Sequence, residues 1–143
     1  MKPISRFCWR VLLAGILLAC AGCASDPAAG DAAKLDKTLT AYGSALRWGS
    51  VEQALAFHDP ERVKAKPVTS FELERWRQFR VVGYRATPPA PVATGRVQQR
   101  VALELVNVNT QSVRNVIDVQ EWRYDVPAER WWLTSGLPSL DSR

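Results

Sequence analysis

All three cysteines, Cys8, Cys20 and Cys23, lie within the first 23 residues of a 143-residue chain. Whatever folds after them does so without a disulfide, a thiolate metal site or a cysteine nucleophile. The cysteines belong to a segment with its own logic. Lys2, Arg6 and Arg10 precede the apolar run from Val11 to Ala19, and small residues lead on to Cys23. A basic start, a short apolar core and a small-residue exit are the layout of a secretory signal peptide. The run is too short for a finished membrane helix, which needs about 20 apolar residues. We therefore expect residues 1–22 to be removed, 23–31 to form a flexible tether, 32–138 to form one domain and 139–143 to be a tail. Removal of the signal leaves 121 residues, enough for one domain with a modest core.

Ala21-Gly22-Cys23 resembles the end of a bacterial lipobox, where a lipoprotein signal is cut before a cysteine that is then acylated. The resemblance implies lipidation at Cys23. Cys20 stands where lipoboxes usually carry leucine, and Leu17-Leu18-Ala19-Cys20 makes Cys20 the alternative. An ordinary signal cut after Ala19-Cys20-Ala21 would instead leave a soluble secreted or periplasmic protein. Each methylene of a fatty chain such as palmitate contributes about 0.8 kcal/mol on burial, so two or more chains hold firmly. Ala24 rather than Asp follows Cys23. By resemblance to sorted lipoproteins, that implies the outer membrane, with the domain on its periplasmic face.

The formal charge of +5 owes three positive groups to the signal, leaving +2 in the remainder. That is an ordinary surface and no footprint for nucleic acid. Five of the six tryptophans stay with the domain, which fits a fold stabilised by packing alone.

Past the tether, Asp31 is a helix cap candidate, and Leu35, Leu39, Tyr42 and Leu46 recur at helical spacing up to Trp48. Gly49 ends that helix, and Ser50 with Gln53 reads as a capping box for a second one, from Val51 to about His58. Asp59-Pro60 closes it, and Glu61 to Pro67 reads as a charged loop. Thr69 and Glu72 suggest another capping box and a helix through about Trp76, although the alternation of Phe71, Leu73 and Phe79 also fits a strand. Phe79 to Ala86 reads as a strand, broken by Pro88-Pro89-Ala90-Pro91. Val97 to Val108 and Val113 to Val126 alternate clearly, joined by a turn at Asn109 to Ser112, and Arg130 to Ser135 is a last strand.

Two or three helices followed by about four antiparallel strands imply an α+β domain, with the helices on one face of a curved sheet. The long helix, then Arg47-Trp48-Gly49-Ser50-Val51-Glu52-Gln53-Ala54 and Phe57-His58-Asp59-Pro60, resembles the helical half of NTF2-like (SnoaL-type, cystatin-like) domains. The Trp-Trp-Leu ending is similar to that of uncharacterised proteobacterial envelope lipoproteins. The NTF2-like resemblance implies a cone-shaped cavity, which enzymes of this type line with an acid/base pair, often His with Asp.

His58 is the only histidine, so a His-ligated metal site lacks partners and we expect neither metal nor cofactor. As a base, His58 would need a distant carboxylate such as Asp118 or Glu104. Otherwise it is a helix-end histidine near the dipole. Asp118 interrupts an apolar strand face between Val116 and Trp122, so it either lines a cavity or pairs with an arginine such as Arg100. Arg75, Arg77, Arg80 and Arg85 interleave with Trp76, Phe79 and Tyr84, a basic-aromatic face for phosphate or glycan, or a solvated face. Trp131 and Trp132 must point to opposite sides of their strand. We take Trp122, Trp131, Trp132, His58 and Asp118 as a candidate binding surface and no residue as catalytic. The expected partners are the membrane, through the N-terminal lipid, and an envelope protein or small apolar ligand, but not nucleic acid. The first functional reading is a non-enzymatic binding module, and the alternative is a small acid/base enzyme built on His58.

Overall fold

The computed structural model describes residues 27–140, with side chains from Asp31 onward. The signal peptide, Cys20, Cys23 and residues 141–143 lie outside the described residues.

Helix α1 (Pro27–Trp48) buries Leu35, Leu39 and Tyr42, the stripe that its spacing predicts. It begins at Pro27 rather than after Asp31. Proline suits the first turn of a helix, because its fixed φ is already helical and the missing N–H would have no partner there. Residues 27–31, expected in the tether, are thus helical. Gly49 donates its N–H to the Ala45 carbonyl at 3.0 Å as α1 ends.

Helix α2 (Val51–Leu55) opens on the predicted box: Ser50 Oγ accepts from the Gln53 N–H and Gln53 Oε1 accepts from the Ser50 N–H. It is shorter than expected, since residues 56–58 tighten into i→i+3 hydrogen bonds. The charged stretch expected to be a loop holds a further helix, α3 (Pro60–Ala65). Asp59 Oδ1 accepts from the Glu61 N–H at 2.9 Å, and Pro60 occupies the first helical position. The pair that stops one helix therefore starts the next. Helix α4 (Ser70–Arg77) settles the Thr69–Glu72 segment as helix, with both bonds of its box formed.

The strands are β1 (Phe79–Ala86), β2 (Ala90–Ala93), β3 (Arg96–Asn107), β4 (Val113–Asp125) and β5 (Arg130–Leu133). They form one antiparallel sheet in the order β1-β3-β4-β5, with β2 continuing the β1 side along the start of β3. Strand β2 was not expected, because prolines break ladders; it survives at a sheet edge, where Pro91 need not donate on both sides. The sheet curls into a half-barrel and the helices pack into its concave side. This is an α+β architecture consistent with the NTF2-like fold. No helix among the described residues is long and apolar enough to cross a membrane.

Alternation on β3 and β4 sends Val97, Gln99, Val101, Leu103 and Leu105, and opposite them Val116, Asp118, Gln120, Trp122 and Tyr124, onto the concave face. Two apolar clusters fill that face. One joins Leu35, Leu39 and Tyr42 to Trp122, Trp131 and Leu133; the other joins Trp76 to Val101, Leu103, Leu105 and Leu140. Leu137 packs against both. Residues 136–140 therefore belong to the domain. Leu140, expected in the tail, is buried, and Arg114 donates to its carbonyl. Gly136 makes this crossing feasible: its φ is 93°, and a Cβ there would strike the Arg62 guanidinium.

Candidate functional site

Of the five candidate surface residues, four are interior. Trp122 is fully buried, edge-on to Tyr42 with ring centroids 5.3 Å apart. Trp131 lies against Tyr124 and donates its indole N–H to the Asp31 carbonyl at 3.1 Å, tying β5 to the first described turns of α1. His58 and Asp118 are buried as well. Trp132 alone points to the convex side, as the alternation requires, and it is half-buried. The Arg130 guanidinium lies 3.7 Å from its ring centroid, and its indole N–H donates to Asp125 Oδ2 at 3.3 Å. The five do not form one accessible surface. The even phase of β4 and the odd phase of β5 turn inward together, which places their tryptophans in the core.

The interior holds a polar cluster instead. Gln120 Nε2 donates to Asp118 Oδ2 at 2.8 Å and approaches the Tyr84 hydroxyl at 3.4 Å. Gln99 lies opposite Gln120 in register and donates through Nε2 to the Thr87 carbonyl at 2.8 Å. Tyr42, from α1, completes the group: the charge of Asp118 acts on its hydroxyl, as does that of Arg62. Gly43 lets the Tyr84 ring seat against α1, since a Cβ there would meet the ring at 3.1 Å. The Tyr42 hydroxyl, Gln99 Oε1 and Gln120 Oε1 are buried and have no hydrogen-bond partner. An unmet buried polar group costs about 1–3 kcal/mol.

Charges in the cluster respond to that dry setting. Burial pushes the Asp118 carboxyl up to about 6, only partly opposed by the Gln120 amide. Burial also raises both tyrosines, and the nearby Asp118 charge adds to it. Among the described residues no arginine pairs with Asp118; Arg100, named as an example of such a partner, is exposed on the convex side. Asp118 is instead enclosed in the interior against the Gln120 amide.

His58 stands apart from this cluster. Its segment runs along the edge of β5, with the Asp59 N–H donating to the Leu133 carbonyl at 2.9 Å and the Leu133 N–H to the Phe57 carbonyl at 2.8 Å. Burial pulls the imidazole down to about 4, helped by the Arg62 charge. Neither ring nitrogen has a partner. Neither carboxylate named for it serves: Asp118 is engaged by Gln120, and Glu104 lies on the convex phase of β3, beside Gly83. Nor is His58 the last residue of a helix: α2 closes at Leu55, and the imidazole is buried beyond it.

The sequence reading missed a part-buried ion pair. Arg123 donates through Nε and Nη2 to Asp59 Oδ2 at 2.9 and 2.7 Å. Burial alone would raise the Asp59 carboxyl; the guanidinium and the Glu61 N–H outweigh it and hold it below its usual value. Asp59 was read only as part of a helix stop, and no sequence signal joins residues 64 apart. Gln99 and Gln120 did carry a signal, as polar residues on the apolar phase of alternating strands. Within the arginine-rich stretch, Arg77 is neutralised by Glu52 at 2.6 Å and by Glu74, so the stretch is not a uniformly basic face.

Two openings adjoin this interior. A cleft of about 300 Å³ lies between α1, at Asp36, Leu39 and Thr40, and the strap of residues 86–89, with Tyr84 and Gln99 in its wall. Another, of about 250 Å³, lies between Arg62 and Trp76 on the helical side and Leu137 on the C-terminal segment. Among the described residues no three His, Cys, Asp or Glu side chains converge as a metal site. No family model, curated protein or solved structure matches the chain.

Proposed function

We propose that this chain is an envelope lipoprotein, anchored through acylated Cys23 on the periplasmic face of the outer membrane, whose domain binds a small ligand without chemically changing it. The observation that carries the binding half is that the Tyr42 hydroxyl, Gln99 Oε1 and Gln120 Oε1 are buried inside the half-barrel without a hydrogen-bond partner. Packed cores satisfy such groups, and a cluster of them next to an open cleft suits a polar occupant. The anchoring half rests on the signal layout and the Ala21-Gly22-Cys23 ending.

Labelled palmitate supplied to cells tests the anchor. It should enter the wild-type chain and not the Cys23→Ala variant; label retained in that variant moves the site to Cys20. Unfolding of the purified lipoprotein, followed by tryptophan fluorescence against a panel of small metabolites, tests the binding: one or more should raise the midpoint in a saturable way.

A second reading, an acid/base enzyme, draws support from the Asp118 carboxyl, whose value of about 6 suits proton exchange near neutral pH. In that reading Asp118, with the Tyr84 and Tyr42 hydroxyls near it, takes the role expected of His58. Turnover of any ligand found above, lost in Asp118→Asn with binding retained, would favour it.

A further inference from the structure

The cleft between α3, α4 and residues 135–140 gathers positive charge beside apolar walls. Arg62, Lys66 and Arg75 line it against a single carboxylate, Glu72. Arg62 and Lys66 stand one turn apart, since the Lys66 N–H bonds the Arg62 carbonyl at 2.8 Å, and like charges so spaced repel. Among the described residues neither of these two has an ion-pair partner, and the Lys66 ammonium has no hydrogen bond. The Arg62 guanidinium is nevertheless held in place. Its Nη2 donates to the Ser135 carbonyl at 3.2 Å, and it lies so close to Gly136 that a Cβ there would strike it. A guanidinium fixed by one carbonyl keeps donors for another acceptor. Glu72 is committed to α4: its Oε2 accepts from the Thr69 N–H and hydroxyl at 2.9 and 3.0 Å. Those two bonds, with smaller contributions from the Lys66 and Arg62 charges, hold its carboxyl below the usual range. Arg75 and Ser139 have interactions of their own and are not counted toward the site.

We propose that this cleft binds a small organic carboxylate, with its oxygens taken by the Arg62 guanidinium, its charge shared with Lys66, and its apolar body against Val68, Trp76 and Leu137. A guanidinium meets a carboxylate through two parallel bonds. The volume of about 250 Å³ admits a body smaller than a drug-sized ligand. Inorganic phosphate would find the cations but leave the apolar walls bare, and a cation would be repelled. None of the unpartnered interior atoms belongs to a residue lining this cleft, so the site goes beyond the ligand reading above and does not depend on it.

Three probes separate charge from shape: benzoate, its neutral amide benzamide, and inorganic phosphate, each titrated by calorimetry into the full chain in non-ionic detergent. Benzoate should bind saturably, benzamide about tenfold more weakly, and phosphate more weakly than benzoate. Arg62→Gln should weaken benzoate by about tenfold, the scale of charge-assisted hydrogen bonds. Lys66→Gln should weaken it by about threefold, the scale of a partly screened charge, and should leave the benzamide affinity unchanged. Because Lys66 is exposed, its variant folds even if the Arg62 variant does not. Failure of benzoate to bind overturns the proposal. So does equal binding of benzoate and benzamide, phosphate binding as tight as benzoate, or an unchanged benzoate affinity in either folded variant. Each of these outcomes leaves the interior ligand reading standing, since that reading rests on Tyr42, Gln99 and Gln120 and has its own unfolding test.

Discussion

Two aspartates in this domain are equally hidden, Asp59 at 4% exposure and Asp118 at 5%, yet they behave oppositely. Asp59 caps α3 and takes two donors from Arg123, and its pKa falls despite burial. Asp118 has one neutral amide for company, and its pKa climbs to about 6. Burial sets the penalty on a charge; the partner decides whether the charge is kept. Asp59 joins the first helices to β4 and so serves the architecture. Asp118 is a strained group in a polar interior, the kind of placement that favours a site over a scaffold.

The largest expected effect comes from removing the partner of the satisfied aspartate. Arg123→Met leaves the Asp59 carboxylate with the Glu61 N–H but no cation, and should cost up to about 3 kcal/mol in urea unfolding at pH 7, the partial exposure of Arg123 holding it at the low end for such pairs. A loss below about 1 kcal/mol would put Asp59 in the same class as Asp118.

The pH dependence of stability probes the unsatisfied side. Folding raises the Asp118 pKa from 3.8 to about 6, so the native state retains a proton that the unfolded chain has released, and stability falls as pH rises across that range. Folding lowers the His58 pKa from 6.5 to about 4, so there the unfolded chain holds the extra proton, and stability rises over nearly the same range. Each slope amounts to about 3 kcal/mol in total. They oppose, and the wild-type profile between pH 4 and 6 should be nearly flat. Asp118→Asn should unmask a stability that climbs with pH, and His58→Gln one that declines. Parallel profiles in the two variants would show that one of these groups is not buried as described. The Asp59 contribution belongs to a lower window: it is complete above the unfolded value of 3.8 and disappears as pH falls through the lower native pKa.

Smaller still is Tyr42→Phe. The hydroxyl it removes is fully buried without a partner, so the change should be neutral or stabilise by about 1 kcal/mol, measured by thermal unfolding. A clear loss would reveal a bound water or ligand at that oxygen. Last, Glu52→Gln breaks an exposed pair with Arg77 and should leave the unfolding midpoint essentially unchanged.

Much of the architecture was legible because it rests on local rules. The α1 stripe, the Ser50–Gln53 and Thr69–Glu72 boxes, the span of β1 and the phases of β3 and β4 all follow from spacing and caps within a few residues. What was not legible needed distant information. Asp59-Pro60 looks the same whether it ends a helix or begins one. Strand β2 has no apolar pattern of its own and exists because β3 supplies a ladder. Of the candidate site, the polarity of Asp118 on an apolar phase was visible, but the arginine beside Asp59 and the tyrosines around Asp118 come from other elements. The tryptophan surface failed for a related reason: hydrophobic bulk on a strand reports a face, and only the packed helices decide that the face is interior.

The hydrogen bond from the Trp131 indole to the Asp31 carbonyl works as a clasp between the first helix and the last strand. A pull on the chain ahead of Asp31 would be handed across to β5 at that point, so α1 could not be peeled off turn by turn without first opening the edge of the sheet.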